Sequence, residues 1–358
     1  RPGAVAASGA VAVTRSGLRL TVLAVILVAA IVVALGIGAV AISPTEVVAI
    51  LVGRLGIDQL VEYSDRQEVV LTAIRIPRVL ATALIGAAWA TAGVAMQGLY
   101  RTPLADPALV GIGGGAALGA ALGTALAVSL GVVAQYAGTL TVVAAAFVAA
   151  LIAAAIVYRV AASSGRVVVA TMLLAGIALS AFFAAVTALV VAASRTPELG
   201  SVAFWALGSF AGIVGRDVVV TALVVIPAVI VLARLGPRLD ALALGESEAG
   251  HLGIDVRRLT LVVSVIFALL TAVAVATAGV IAFVALMIPS LIRAWVGQPH
   301  RVVAIGSALL GATLLVVADV LARSLFSPVE LSIGVITTLI GAPFFLWLLL
   351  HERGLLAR

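Results

Sequence analysis

The sequence predicts an all-α, polytopic membrane protein of about ten transmembrane helices. Three observations lead there. Hydrophobic residues make up 64% of the 358 and charged residues only 10%, against roughly 25% charged in a soluble domain. Mean hydropathy is +1.32. The apolar residues fall into about ten separate stretches, each near the ~20 residues that a helix needs to cross the hydrocarbon core. A soluble fold of this size has no interior large enough for so much apolar surface. A disordered chain, a disulfide scaffold and a nucleic-acid binder are excluded on the same grounds.

The stretches lie near 20–41, 76–97, 108–131, 140–160, 170–193, 218–235, 259–278, 280–296, 303–322 and 332–350. Residues 1–19 and 351–358 form short tails around a single transmembrane domain, 20–350. The first stretch is too long for a signal-peptide core and reads as a retained first helix. Ser43-Pro44-Thr45-Glu46 is a capping box with Pro at the first helical position, so a short outer helix is expected after span one. Asp106-Pro107 is expected to cap span three in the same way. Gly111 to Gly115 resembles a nucleotide-binding glycine loop, but it sits inside an apolar span with no βαβ unit around it. Gly115, Gly119 and Gly123 are four apart, share one helix face, and would let a neighbouring helix come close. Pro227, Pro289 and Pro343 interrupt spans and are expected to kink them. A break at Thr277-Ala278-Gly279 divides the seventh span from a short eighth.

Charge sets the orientation. All 21 basic residues are Arg and the net charge is +6. With ten spans and an inner N-terminus, fourteen arginines face the cytoplasm and seven face outside, as the positive-inside rule demands. Both termini are then cytoplasmic.

The chemistry the chain lacks is also informative. It has no Cys, so no disulfide, thiolate metal site or Cys nucleophile. No Lys means no P-loop, so this chain is not expected to hydrolyse ATP. His251, His300 and His351 all fall in predicted cytoplasmic segments, and Asp319 is the main buried carboxylate. An ion-coupled secondary carrier, the alternative of another class, ordinarily needs intramembrane ionisable groups. A membrane-embedded hydrolase needs a general base. Neither is well supplied here, and no metal site is expected.

Four places remain as functional candidates. Asp319 and Arg323 are i,i+4 in the favourable order, reading either as mutual neutralisation or as an outward docking Arg. Arg75 and Arg78 stand at the outer start of span two, as interface anchors or as a cationic platform for an acidic partner. Residues 194–216 hold Phe204, Trp205 and Phe210 between Arg195 and Arg216 and read as a short aromatic helix at the outer interface. The inner loop 236–258 is patterned beyond a mere connector, and its glycines permit tight turns around a short helix. Such a helix is what a permease presents to a motor domain.

These residues resemble a known family. Arg75-Ile-Pro-Arg78, Met96 to Pro107, Leu244 to Val256, Ala318 to Arg323, and Glu330 to Val335 followed by Gly341-Ala342-Pro343 are similar, in order, to the permeases of bacterial ABC importers for iron chelates, haem and cobalamin. The resemblance runs from about residue 43 to 350. It implies a type II importer permease in the inner membrane, working as a homodimer with two cytoplasmic ATPases and an extracytoplasmic substrate-binding protein. ATP and Mg would sit on the ATPases, with no cofactor on this chain. It implies ATPase coupling through Gly245, Glu246, Ala249, Gly250, Leu252, Gly253 and Ile254, and binding-protein docking through Arg75, Arg78 and Arg323. It places Phe204, Trp205, Arg195 and Arg216 near the outer gate. Many relatives carry Pro-His where this chain has Pro289-Ser290. The run Phe204-Trp205-x-x-Gly208-Ser209 looks closest to the haem-importing branch, with a ferric siderophore or cobalamin as the alternative cargo. The flanking arginines suit haem propionates or an anionic siderophore equally.

Overall fold

The computed structural model describes residues 2–38, 40–54, 61–132, 135–163, 166–167, 169–193, 208–325 and 330–356. In chain order these form α1 (Pro2–Gly36), α2 (Pro44–Gly53), α3 (Asp65–Val69), a π-helical turn over Val70–Arg75, α4 (Ile76–Tyr100), α5 (Ile112–Ser129) and α6 (Tyr136–Ala161). A two-residue antiparallel ladder, β1 (Ala162–Ser163) with β2 (Arg166–Val167), leads into α7 (Val169–Ala193). The chain continues as α8 (Gly215–Leu244), α9 (Glu246–His251), α10 (Val256–Ala278), α11 (Val284–Trp295), α12 (His300–Ser324) and α13 (Ile333–Leu356). Each of the ten predicted apolar stretches carries a helix, so the all-α polytopic expectation holds.

Eight segments among the described residues are long and apolar enough to cross a bilayer. The stretches expected at 280–296 and 332–350 carry shorter apolar helices. With 12 residues, α11 rises only about 18 Å, well under the ~30 Å hydrocarbon core. The cause is local. Gly279 takes φ 78° as it ends α10, and Phe283 takes φ 67° just before α11. Residues 279–283 therefore run as irregular backbone. Ile281 within them is fully buried, which is where a membrane protein tolerates non-helical chain.

Several boundaries differ from the sequence expectation; α1 reaches back to Pro2, and α8 runs on to Leu244, into the expected inner loop. The second span begins at Asp65, not at 76, because α3, the π-turn and α4 form one continuous apolar helix of 36 residues. Ile76 bonds to the carbonyl of Leu71, an i→i+5 closure, immediately before Pro77, which has no N–H to give. The widened turn lets the helix pass the proline unbroken, and it carries Arg75 and Arg78 inside the helix instead of at its start. Asp106 does not cap α5. Its Oδ1 accepts from the amides of Ala108 and Leu109, 2.7 and 3.2 Å, closing a single turn that precedes the helix. The helix itself starts behind Gly111 in the left-handed region. Burial pushes the Asp106 carboxyl up to about 6, against the pull of neighbouring amides. The capping box at Ser43 and Glu46 forms as expected, with both reciprocal bonds in place at the start of α2. Pro227, Pro289 and Pro343, expected to interrupt their spans, each sit inside an assigned helix, as does Pro237.

Burial separates the centre from the rim. The α3–α4 segment is 83% buried over its most apolar window, whereas those of α1 and α7 are 17% buried. Trp89 of α4 and Phe267 of α10 are fully enclosed, and α4 packs against α8, α10, α11 and α12. Lipid offers no hydrophobic drive for helices to associate, so close backbone contact must do it. At Gly86 a Cβ would lie 2.2 Å from the carbonyl oxygen of Gly311, and at Gly93 1.9 Å from that of Ala285. The predicted stripe of Gly115, Gly119 and Gly123 faces α6, against Ala153, Ala145 and Val142.

Helix ends alternate between two faces. On one, Ser16 and Arg19 of α1 bond to the carbonyls of Val296 and Trp295 after α11, and the start of α12 lies against the ends of α4 and α8. On the other, the end of α1 meets the start of α4 and the end of α12. Gly86→Leu is expected to force α4 from α12 and destabilise the chain by about 1–3 kcal/mol or more. Gly17→Leu, where nothing lies within 4 Å, is expected to be neutral. Thermal unfolding of both variants in detergent checks this.

Candidate functional site

Two charged or exposed constructions stand out, one on each face. The first is α9. The chain leaves α8 at Leu244 and turns through Gly245 at φ 131°, a conformation that residues with a Cβ rarely adopt. Six residues of helix follow. Gly253 at φ 77° then closes the far end: its amide bonds to the carbonyl of Gly250, 2.9 Å, and that of Ile254 to Ala249, 3.0 Å. This is a Schellman stop. Asp255 caps α10 at once, accepting from the Arg258 amide at 2.9 Å. The helix is therefore held at both ends by specified turns.

Its residues divide by face. Ala249 is fully buried and Ile254 partly so; they anchor the helix to the body. Leu244 and Leu252 are 71% and 65% exposed, while no atom lies near Gly250 and Glu246 pairs with Arg101 at 3.3 Å. The two exposed leucines flank the helix, with the exposed Arg257 and Arg258 beside them. Of the predicted coupling residues, Glu246, Gly250, Leu252 and Gly253 stand at the surface, Gly245 forms the entry turn, and Ala249 and Ile254 face inward.

The second construction gathers Arg75, Arg78, Asp319, Arg323 and Glu330. Arg75, 3% exposed, donates to the carbonyls of Leu35, 2.8 Å, Gly36, 3.0 Å, and Val40. It caps the carbonyl end of α1, where a helix dipole favours a cation. Arg78 reaches Asp319 at 2.9 Å and Glu330 at 3.1 Å. Arg323 lies 3.5 Å from the same Asp319 and donates to the carbonyl of Ala34. One carboxylate thus holds two guanidinium groups, with Glu330 at the rim. Of the two readings of Asp319 and Arg323, the structure shows the internal pairing. The three arginines are committed to internal partners, and the side chains of Arg78 and Arg323 are only 12% and 7% exposed. Span two begins eleven residues before its predicted start, which draws Arg75 and Arg78 inward.

Arg195, Phe204 and Trp205 lie outside the described residues. Arg216 stands at the start of α8, 3.6 Å from Asp217, whose carboxylate accepts from Thr139 and from the Val214 amide. A pocket of 170 Å³ at Asp217, lined by Thr124, Thr139 and Thr277 among mainly apolar residues, is below the ~300–1,000 Å³ of an ordinary ligand site. Gly208 and Ser209, at the end of the aromatic segment, tie two helices together. Ser209 donates to Ala278 at the end of α10, 2.8 Å, and Gly208 accepts from Ile333 at the start of α13, 3.3 Å.

Sequence reasoning missed the contact of Asp240 with His300, 2.6 Å, and the role of Glu330. Nothing local signals either, since each pair joins separate helices or segments.

Comparison with known proteins bears on what these faces do. The model of the FecCD transport family matches residues 26–351. The hemin transport system permease protein HmuU of Yersinia pestis is 36% identical over 288 residues, 78% of this chain and 83% of that one. The vitamin B12 import system permease protein BtuC of Vibrio cholerae is 37% identical over 307 residues, covering 86% and 90%. A solved structure, described as an inward-facing conformation of a metal-chelate type ABC transporter, superposes with a TM-score of 0.74 at 31% identity. It covers 92% of this chain and 97% of its own.

Asp319→Ala is expected to destabilise the chain by about 3–5 kcal/mol, because it strands two buried guanidinium groups. Asp319→Asn, which keeps an acceptor, is expected to cost less. Chemical or thermal unfolding in nanodiscs distinguishes them.

Proposed function

The chain belongs to the FecCD transport family, and we propose that it is the permease subunit of an ABC importer that brings haem across the bacterial inner membrane. The observation that carries the importer reading is α9: a short helix, stopped at both ends, anchored by Ala249 and flanked by the exposed Leu244 and Leu252. That is the surface a separate motor protein needs. The chain has no Lys and so no P-loop; ATP and Mg belong to the partner ATPases.

Orientation follows from charge. With ten spans, fourteen of the 21 arginines fall on the α9 side by sequence, and the positive-inside rule supports putting that face and both chain ends in the cytoplasm. The opposite face, with the arginine cluster, then meets the substrate-binding protein. Because Arg75, Arg78 and Arg323 are internally bonded, Glu330 at 42% exposure is the cluster's accessible member for such a partner.

A second copy of this chain completes the path. Leu174, Ile177, Phe182 and Leu189 of α7 and Leu339, Leu346 and Trp347 of α13 leave two broad apolar faces uncovered. Pairing through them would enclose a route that the small pocket of one chain does not provide. ATP-driven closure of the ATPases would move α9, and with it α8 and α10, between outward and inward access.

Haem is supported by Phe204-Trp205-x-x-Gly208-Ser209 and by the hemin permease among the relatives. Cobalamin is the second reading, favoured by the vitamin B12 permease of similar identity. The test is uptake into proteoliposomes holding this chain, its neighbouring ATPase and its binding protein. Haem accumulation that requires ATP is expected. Cobalamin or ferric-siderophore accumulation instead would overturn the substrate, and uptake of any of these without ATP would overturn the importer. Gly253→Pro is expected to abolish uptake with membrane insertion intact, since proline cannot adopt the φ of 77° that closes α9. Normal uptake by this variant would remove α9 from the coupling role.

A further inference from the structure

A tight polar junction lies behind α9. Asp240 sits one turn before the end of α8. Its Oδ1 accepts twice from His300, from the backbone N–H at 2.9 Å and from ring Nδ1 at 2.6 Å. His300 is the first residue of α12. The N-cap of α12, Pro299, makes no side-chain cap bond, and its first turn contains no acidic residue. Asp240 therefore caps α12 from another helix, placing a carboxylate at the positive end of its dipole.

The surroundings leave the junction little slack. The imidazole rests against Gly98 of α4, where a Cβ would stand 3.0 Å from Nε2. At Gly236 of α8 a Cβ would stand 2.5 Å from the backbone nitrogen of Arg301. The His300 side chain is 12% exposed. Three helices meet here, α8 and α12 backbone to backbone and α4 against the imidazole.

Resting on the importer reading above, we propose that the Asp240–His300 pair is a positioning contact that transmits displacement of α9 into α12. Only Gly245 separates α9 from α8, so a push on α9 moves the turn that carries Asp240. The 25 residues of α12 form a rod of about 37 Å. At its far end Asp319 is bonded to Arg78 of α4, and Arg78 to Glu330, three residues before α13. The motor face is thereby linked to the opposite face through one helix pinned at both ends.

The absence of Cys from the chain makes the test direct. Ser324→Cys places a single thiol at the exposed far end of α12. The complete complex of permease, ATPase and binding protein is reconstituted in nanodiscs, and the rate of maleimide labelling is read with and without ATP and Mg. In the parent complex ATP is expected to change that rate several-fold. Asp240→Asn keeps an acceptor for both bonds and is expected to retain the response. Asp240→Ala is expected to lose it while the complex still assembles and hydrolyses ATP, an outcome that a merely structural role would not give. His300→Ala, which preserves the backbone cap, is the second variant, and its response is expected to fall in part. A full response in either alanine variant overturns the proposal, as does a parent complex that hydrolyses ATP with no change in labelling. Failure of the parent chain to engage any ATPase overturns the importer reading instead.

Discussion

The arrangement depends on how closely α4 approaches its neighbours. In a bilayer an apolar helix gains little by leaving lipid for another apolar helix, so attraction must come from contact at short range. Gly86 against Gly311 and Gly93 against Ala285 supply that contact. They also fix register. With α12 held at Gly311, its two ends fall opposite the two ends of α4. Asp319 then meets Arg78 on one face, and His300 meets Gly98 on the other. A single close crossing near mid-helix thus sets both polar junctions.

The same approach makes room for the break between α10 and α11. Gln97 of α4 is 3% exposed, and its amide donates to the carbonyl of Ala285 at 3.2 Å while its oxygen accepts from Arg293. A polar side chain at that depth is tolerable only when it is bonded. Here it satisfies backbone at the start of a helix too short to span alone. Phe283, left-handed and pressed against Gly341, fastens the irregular segment to α13. The interruption is a constructed joint between α4, α11 and α13.

Features that depend on near neighbours in the chain were legible in the sequence. The ten apolar stretches, the capping box of Ser43 and Glu46, the glycine stripe of α5 and the helix at 246–251 all rest on spacings of a few residues. Features that depend on distant partners were not. Arg78 finds its acids 241 and 252 residues away, so its exposed position at a predicted helix start gave no warning that it is buried and paired. The π-turn before Pro77 is a similar case: a proline ordinarily marks a helix start, and here the widened turn carries the helix past it. Asp106 had the residue type of a cap and the wrong helix to cap, because Gly111 intervenes with a left-handed turn.

The two glycine turns around α9 have an effect on how the molecule can change over generations. Gly245 and Gly253 set the path of the chain into and out of the helix, and Ala249 alone among its six residues is buried. Apart from Glu246, which pairs with Arg101 at the end of α4, its other side chains are exposed. On the importer reading, the outward surface of α9 is thus a replaceable label: most of its residues can drift with whichever motor the chain is matched to, while the helices behind it keep their packing.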